Sequence, residues 1–444
     1  MGKLMTRLKT MFKTLISNEK LRLIIQNSSW LVIDKLVNLL IGIFIGAMIA
    51  RYFGPAKFGL FNYSIAIVSL LTVFSTLGLE TITFKNLLEK KYEEGSILFT
   101  SLLLRLIGGT GLTISATLVV KLLEPQNYTL IWLVFFMSCT MIFKSFEIIE
   151  YWFQAHHKSK TPSILRMTIY IVISLLKIIL VIFDGSIIQL SILYLFEAIL
   201  FGFSIFAMYF YLRKANSKWS LSGEYAKEVL HKSWYLILSG FMITLYMRID
   251  QVMLGSMLKD KSVLGVFSVA VRIAEMWYFI PISVITSFKP IIINNKKMSE
   301  KKYLDSLQLL YTVIAWLGIS VGFMIFFASK TMIQLLYGNE YIEAANILSI
   351  SVWAGTFAML GTARAVWIVC ENLQKFTLIY TFFGLLMNVF LNWMLIPKYG
   401  AYGSAFATLV AQLTALVLLS MFSETRTSNL MIARAFIFKI KARP

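Results

Sequence analysis

The sequence predicts an all-α polytopic membrane protein: twelve transmembrane helices in two six-helix lobes, with both termini cytoplasmic. Three observations lead there. Of the 444 residues, 58% are apolar and only 14% charged, with mean hydropathy +0.75, where soluble domains carry nearer a quarter charged residues. Twelve apolar runs reach the roughly 20 residues needed to cross a hydrocarbon core. Basic residues are unevenly spread: with the N-terminus inside, cytoplasmic segments hold about 27 of the 42 lysines and arginines, outer loops about seven and apolar spans about eight, the positive-inside asymmetry. The net charge of +20 therefore reflects topology, with attraction to anionic lipid as a second effect. It does not indicate nucleic acid.

In order, the predicted spans are 29–50, 58–79, 97–120, 128–149, 163–183, 187–212, 233–257, 264–287, 305–328, 345–370, 376–396 and 402–422. Residues 1–28 form a basic head. Its Leu4, Leu8, Met11, Phe12 and Leu15 share one helical face, and Lys3, Arg7, Lys9 and Lys13 lie elsewhere, the pattern of an interfacial helix. No cleavable signal peptide is visible. The first lobe covers 29–212, a basic cytoplasmic linker 213–232, the second lobe 233–422 and a basic tail 423–444.

Several local motifs resolve into packing. The glycines of GGTG at 108–111 lack the preceding strand and following Lys-Ser/Thr of a phosphate loop, so they read as helix contacts. His156-His157 has no third ligand at useful spacing, and Cys139 and Cys370 suggest neither a disulfide nor a metal site. No cofactor is expected.

The halves repeat. NSSW (27–30) matches HKSW (231–234), FGLFNYS (58–64) matches LGVFSVA (264–270), TFKN (83–86) matches SFKP (287–290), and LLEKK (87–91) matches IINNKK (292–297), at offsets of about 204 to 206. The segment from Trp152 to Lys160 parallels that from Trp367 to Lys375, which aligns Lys177 with Asn392. Parallel six-helix halves imply a pseudo-two-fold axis along the membrane normal, as in transporters that rock two halves about a substrate.

Charges inside the spans cost about 2.5–3.5 kcal/mol each even on insertion scales, so they face protein or a wet cavity. The basic members are Lys35, Arg105, Lys177, Arg248, Arg272 and Arg364; the acidic ones are Asp34, Glu197, Asp250 and Glu275. Self-neutralising pairs within the bundle are the plain structural reading. The excess of basic groups points instead to a cationic lumen for an anionic substrate, guanidinium suiting phosphate through planar, bidentate bonds. The acids are then counter-ions or carriers of a coupling H+ or Na+. Pro281 is placed to kink the eighth span beside these charges.

These residues carry a resemblance. WLVIDK at 30–35, ARYFGPAKFGLFNYS at 50–64, YWFQAHHKSK at 151–160, YMRIDQVMLG at 246–255 and LGVFSVAVRIAEMWYFIP at 264–281 resemble the polysaccharide-transporter family. Its members are Wzx-type flippases for O-antigen and other lipid-linked oligosaccharides, within the multidrug/oligosaccharidyl-lipid/polysaccharide exporter superfamily. The resemblance implies a two-lobed fold like that of the multidrug exporters, with a cationic central cavity, in the inner membrane. The implied substrate is undecaprenyl-diphosphate-linked oligosaccharide, and polysaccharide-assembly membrane proteins are candidate partners. On that picture Arg248, Arg272, Lys177, Arg105, Lys35 and Arg364 would bind diphosphate or acidic sugar, and Asp250, Glu275, Asp34 and Glu197 would balance them or carry the coupling ion.

Two rivals stand beside it. A cation-coupled drug exporter of the same fold would be expected to have an acid-dominated cavity. A membrane polysaccharide polymerase or glycosyltransferase would need catalytic groups on a sizeable outer loop, and the longest outer loop here spans about sixteen residues, 329–344.

Overall fold

The computed structural model describes residues 19–213, 218–418 and 422–437; the apolar face predicted at Leu4 to Leu15 lies outside them. Among the described residues the chain is helical, with no strand. The helices are α1 (Glu19–Thr76), α2 (Leu79–Glu89), α3 (Glu94–Leu123), α4 (Tyr128–Lys144), α5 (Glu150–Ala155), α6 (Lys160–Ile182) and α7 (Ile187–Leu212). They continue as α8 (Gly223–Met257), α9 (Ser262–Met276), α10 (Phe279–Met298), α11 (Glu300–Tyr337), α12 (Ala344–Cys370), α13 (Gln374–Val417) and α14 (Arg426–Ala435).

Ten segments of the described residues are long and apolar enough to cross a membrane, so this is a multi-pass membrane protein. Several of the ten are not single rods. The segment Ser29–Glu89 has 61 residues, about 90 Å at 1.5 Å per residue against a core of about 30 Å. It breaks at Gly54, whose φ of 70° and ψ of 170° suit only a residue without Cβ. Pro55 follows and offers no backbone donor. Helix α13 breaks likewise at Gly400. The eighth predicted span is interrupted at Trp277-Tyr278, between α9 and α10, and Pro281 sits in the first turn of α10, where a missing donor costs nothing.

The chain forms two compact units, Met1–Gly46 with Leu71–Gly240, and Ala47–Leu70 with Phe241–Pro444. Unit 1 packs Leu79, Ile97, Leu98, Ile148, Phe153 and Ile205 into one apolar core. Tyr225 and Val229, from the stretch expected to be a linker, are fully buried in that core. A buried hydroxyl cluster holds them there: the Tyr225 hydroxyl lies 3.1 Å from Ser101 Oγ and 3.4 Å from Thr83 Oγ1. Glu228 accepts from Lys91 Nζ at 2.5 Å and Tyr92 Oη at 2.6 Å. The start of α8 is thus part of unit 1 rather than a loose connection.

Unit 2 incorporates the hairpin 47–70 from the first half of the sequence. Arg51 donates to the carbonyls of Gln334 (3.1 Å) and Leu335 (2.6 Å) at the C-terminal end of α11, where a cation also meets the negative end of the helix dipole. Tyr341 Oη donates to the carbonyl of Ala50 at 2.8 Å.

Candidate functional site

Each unit carries its own cluster of buried charge. In unit 2, α8, α9, α12 and α13 enclose a cavity of about 520 Å³. Three charged residues line it, Asp250, Glu275 and Arg364, with tyrosines 246, 278 and 380 and the polar Thr408 and Gln412. Asp250 is the centre of a compact oxygen-rich group. It is 6% exposed; its Oδ1 accepts from Asn392 Nδ2 at 2.6 Å, and its Oδ2 lies 2.5 Å from Thr408 Oγ1. The Asn392 amide also donates to Asn388 Oδ1 at 3.1 Å.

The group leaves both a donor and an acceptor unmatched. Thr408 Oγ1 also lies 2.9 Å from the Ser404 carbonyl, yet a hydroxyl has one proton to give. Asn392 Oδ1 has no hydrogen-bond partner. A buried carboxylate, two amide oxygens, a hydroxyl and a carbonyl therefore converge here, and Asn388 Nδ2 is likewise without a partner. Carboxylate, amide and hydroxyl oxygens clustered in this way are the ligand types that a hard cation takes.

Arg364 is 1% exposed. Its Nη1 donates to the Leu416 carbonyl at 2.7 Å and to Asn429 Oδ1 at 3.1 Å, and its Nη2 to the Ala415 carbonyl at 3.0 Å. Its guanidinium lies 4.7 Å from the Tyr380 ring centroid. The planar fork thus meets the C-terminal carbonyls of α13. Arg248 is half-buried and Arg272 exposed; neither lines this cavity. Arg248 is within electrostatic reach of Glu275.

Unit 1 arranges several of its charges as ion pairs. Lys177 is 2% exposed, with Nζ 3.2 Å from Glu197 Oε2 and 3.8 Å from the Tyr194 ring centroid. Asp34 is buried, accepts from Asn38 Nδ2 at 2.8 Å and lies 3.9 Å from Arg166, which also pairs with Glu150. Arg105 is 3% exposed, and its Nε and Nη1 have no partner; Lys35 is exposed. A cavity of about 300 Å³ is lined by Lys144, Glu147, Arg166, Tyr194 and Glu197 among others.

Sequence reasoning missed Arg166, Glu150, Thr408 and Gln412. Arg166 was visible as a charge three residues into the run 163–183. Lys144, Glu147 and Glu150 recur every three residues at the end of the fourth span. Thr408 and Gln412, one helical turn apart, resemble ordinary polar residues of a span, and only their neighbours mark them out.

Comparison with known proteins now assigns the family. Residues 24–296, more than half of the chain, match the family model described as "Polysaccharide biosynthesis protein". The chain belongs to the polysaccharide biosynthesis protein family. Residues 236–394 of this family member also match the MatE family model. It is 22% identical over 399 residues to the capsular polysaccharide biosynthesis protein CapF of Staphylococcus aureus, covering 88% of this chain and 97% of CapF. Among solved structures it resembles the lipid II flippase MurJ in an inward closed conformation (TM-score 0.71, 19% identity, 91% of this chain and 90% of that one). It also resembles an inward-facing multidrug resistance MATE family transporter of the MOP superfamily (TM-score 0.70, 16% identity, 89% and 95%). The family and fold that the sequence motifs implied are borne out.

Proposed function

We propose that this polysaccharide biosynthesis family member is an inner-membrane flippase. It translocates undecaprenyl-diphosphate-linked oligosaccharide, an O-antigen or other polysaccharide repeat unit, by alternating access, and it is coupled to a cation. The observation that carries the substrate class is the match of residues 24–296 to the polysaccharide biosynthesis model, supported by similarity to CapF along nearly the whole of both chains. The cation coupling is supported by the cluster of oxygen ligands around Asp250. In this reading the cation acts as a co-substrate held by Asp250, Asn388, Asn392 and Thr408, whose binding in one state and release in another biases the equilibrium between states.

The basic groups Arg248, Arg272, Lys177, Arg105, Lys35 and Arg364 are proposed to favour the diphosphate, and Glu275, Asp34 and Glu197 to balance them. Lys177 already meets a carboxylate and the fork of Arg364 meets backbone carbonyls, so these two have the smaller part in that role. Polysaccharide-assembly proteins in the same membrane are the expected partners, and no reaction chemistry is assigned to the chain.

A cation-coupled exporter is the second reading. Two of the three charged residues lining the unit 2 cavity are acidic, and residues 236–394 match the MatE model. Deleting the protein and analysing lipids separates the two. Undecaprenyl-linked oligosaccharide accumulating on the cytoplasmic leaflet supports the flippase; unchanged lipids with altered drug sensitivity sink it.

A further inference from the structure

The unit 2 cavity is poorly suited to bind the diphosphate itself. Glu275 and Asp250 present negative charge to it, and the fork of its one guanidinium, Arg364, is engaged by the Ala415 and Leu416 carbonyls and by Asn429. A phosphate placed here would meet two like charges for one partly engaged cation, an unfavourable exchange for its hydration. What the cavity offers instead is aromatic surface with neutral hydrogen-bonding groups. Tyr246 stands one turn before Asp250 on α8, and its buried hydroxyl has no hydrogen-bond partner. Tyr278 and Tyr380 line the same space, as do the amides of Gln251 and Gln412.

A buried hydroxyl without a partner costs about 1–3 kcal/mol, a cost that is removed when Tyr246 turns its hydroxyl to meet a bound ligand's. Aromatic faces beside amides and a carboxylate suit a polyhydroxylated ring, whose C–H face packs on the aromatic while its hydroxyls exchange hydrogen bonds with the polar groups. The cavity volume falls within the range of small-molecule sites, about 300–1,000 Å³, enough for a short stretch of sugar and not for a long oligosaccharide.

We propose that the unit 2 cavity is a sugar-reading subsite, in which Tyr246 and Gln412 select a neutral sugar ring of the lipid-linked headgroup. This rests on the flippase reading and deepens it, assigning to unit 2 the discrimination among repeat units rather than the capture of phosphate. A site built to hydrogen-bond a hydroxyl rejects an analogue lacking it far more strongly than an apolar pocket does.

The test compares full-length Tyr246→Phe and Gln412→Leu proteins with wild type in proteoliposomes. The probes are undecaprenyl-diphosphate oligosaccharide and undecaprenyl diphosphate without sugar. The expected result is an affinity for the sugar-bearing lipid reduced about tenfold, the effect of about 1.4 kcal/mol, with binding of the sugar-free lipid unchanged. The Tyr246→Phe protein should keep or raise its thermal midpoint, because the hydroxyl it loses is buried without a protein partner, so a folding defect cannot imitate the effect. Equal losses for both lipids, or none for either, would overturn the sugar-reading subsite. If wild type itself moves and binds neither lipid, the flippase reading fails, and that outcome is distinct from a variant-specific null.

Discussion

Gly59 and Gly265 meet backbone to backbone within unit 2. A Cβ on Gly59 would lie 1.8 Å from the Lys261 carbonyl oxygen, and one on Gly265 would lie 2.1 Å from that of Pro55. The two glycines are also repeat partners, 206 residues apart in FGLF and LGVF. The two helices therefore touch at positions that are equivalent in the sequence repeat. Because the clashing atoms are backbone, neither site can yield by a rotamer change. Alanine at either position should destabilise unit 2 by about 1–3 kcal/mol or more, the usual cost of overpacking. Thermal unfolding in detergent measures it, and an unchanged midpoint for both variants would refute the close approach.

Asp250 should report a cation directly. A cation that binds only the folded protein stabilises it by about 2.7 kcal/mol at one hundred times its dissociation constant. Adding Na+ at constant ionic strength should raise the unfolding midpoint of wild type and leave Asp250→Asn unmoved, with Thr408→Ala intermediate. If K+ and Na+ act alike on both proteins, sodium is not the coupling ion, and a pH-dependent uptake assay then decides for or against the proton.

Lys177 distinguishes pairing from substrate binding. Breaking a buried pair by removing one partner costs about 3–5 kcal/mol, and the partial exposure of Glu197 should bring Lys177→Met toward the lower end. The double change Lys177→Met with Glu197→Gln should recover most of that stability. Transport by the double variant then separates the roles: normal rates mean Lys177 is structural, whereas lost transport in a stable protein places it on the substrate path.

Asp260, in the turn before α9, accepts from the Ser262 backbone at 2.8 Å and from its hydroxyl at 2.6 Å, and these bonds hold its carboxyl below the usual carboxylate range. A depressed value means the contribution is present above the ordinary aspartate range and is lost as pH falls through the lowered one. The turn should therefore be insensitive to pH near neutrality and weaken only in acid. Asp260→Ala should cost about 0.5–2 kcal/mol at pH 7, as loss of a helix-start acceptor does, with the difference from wild type shrinking below about pH 4. A constant difference down to pH 2 would argue against the ionised acceptor.

Much of the site was visible as residue types without their partners. The pair RID at 248–250, with Glu275, marked the right region of the second half because a charge in an apolar run is costly wherever it faces. The partners of Asp250 were not visible: Asn392 is 142 residues away and Thr408 is 158. The docking of 218–232 onto unit 1 was likewise hidden. A short basic stretch reads as a loop, and its buried Tyr225 is recognisable only beside Thr83 and Ser101.

By itself the sequence determined that this is a helical multi-pass membrane protein of the polysaccharide biosynthesis family. Those properties are one-dimensional: run length set against bilayer thickness, and local motifs such as RYFGPAKFG that survive without their neighbours. Only the tertiary structure decided which charges are paired, which meet a cavity, and that the hairpin 47–70 packs with the second half. Helix rotation and crossing are set by side-chain packing among distant segments, and at Gly59 and Gly265 by the absence of any side chain at all.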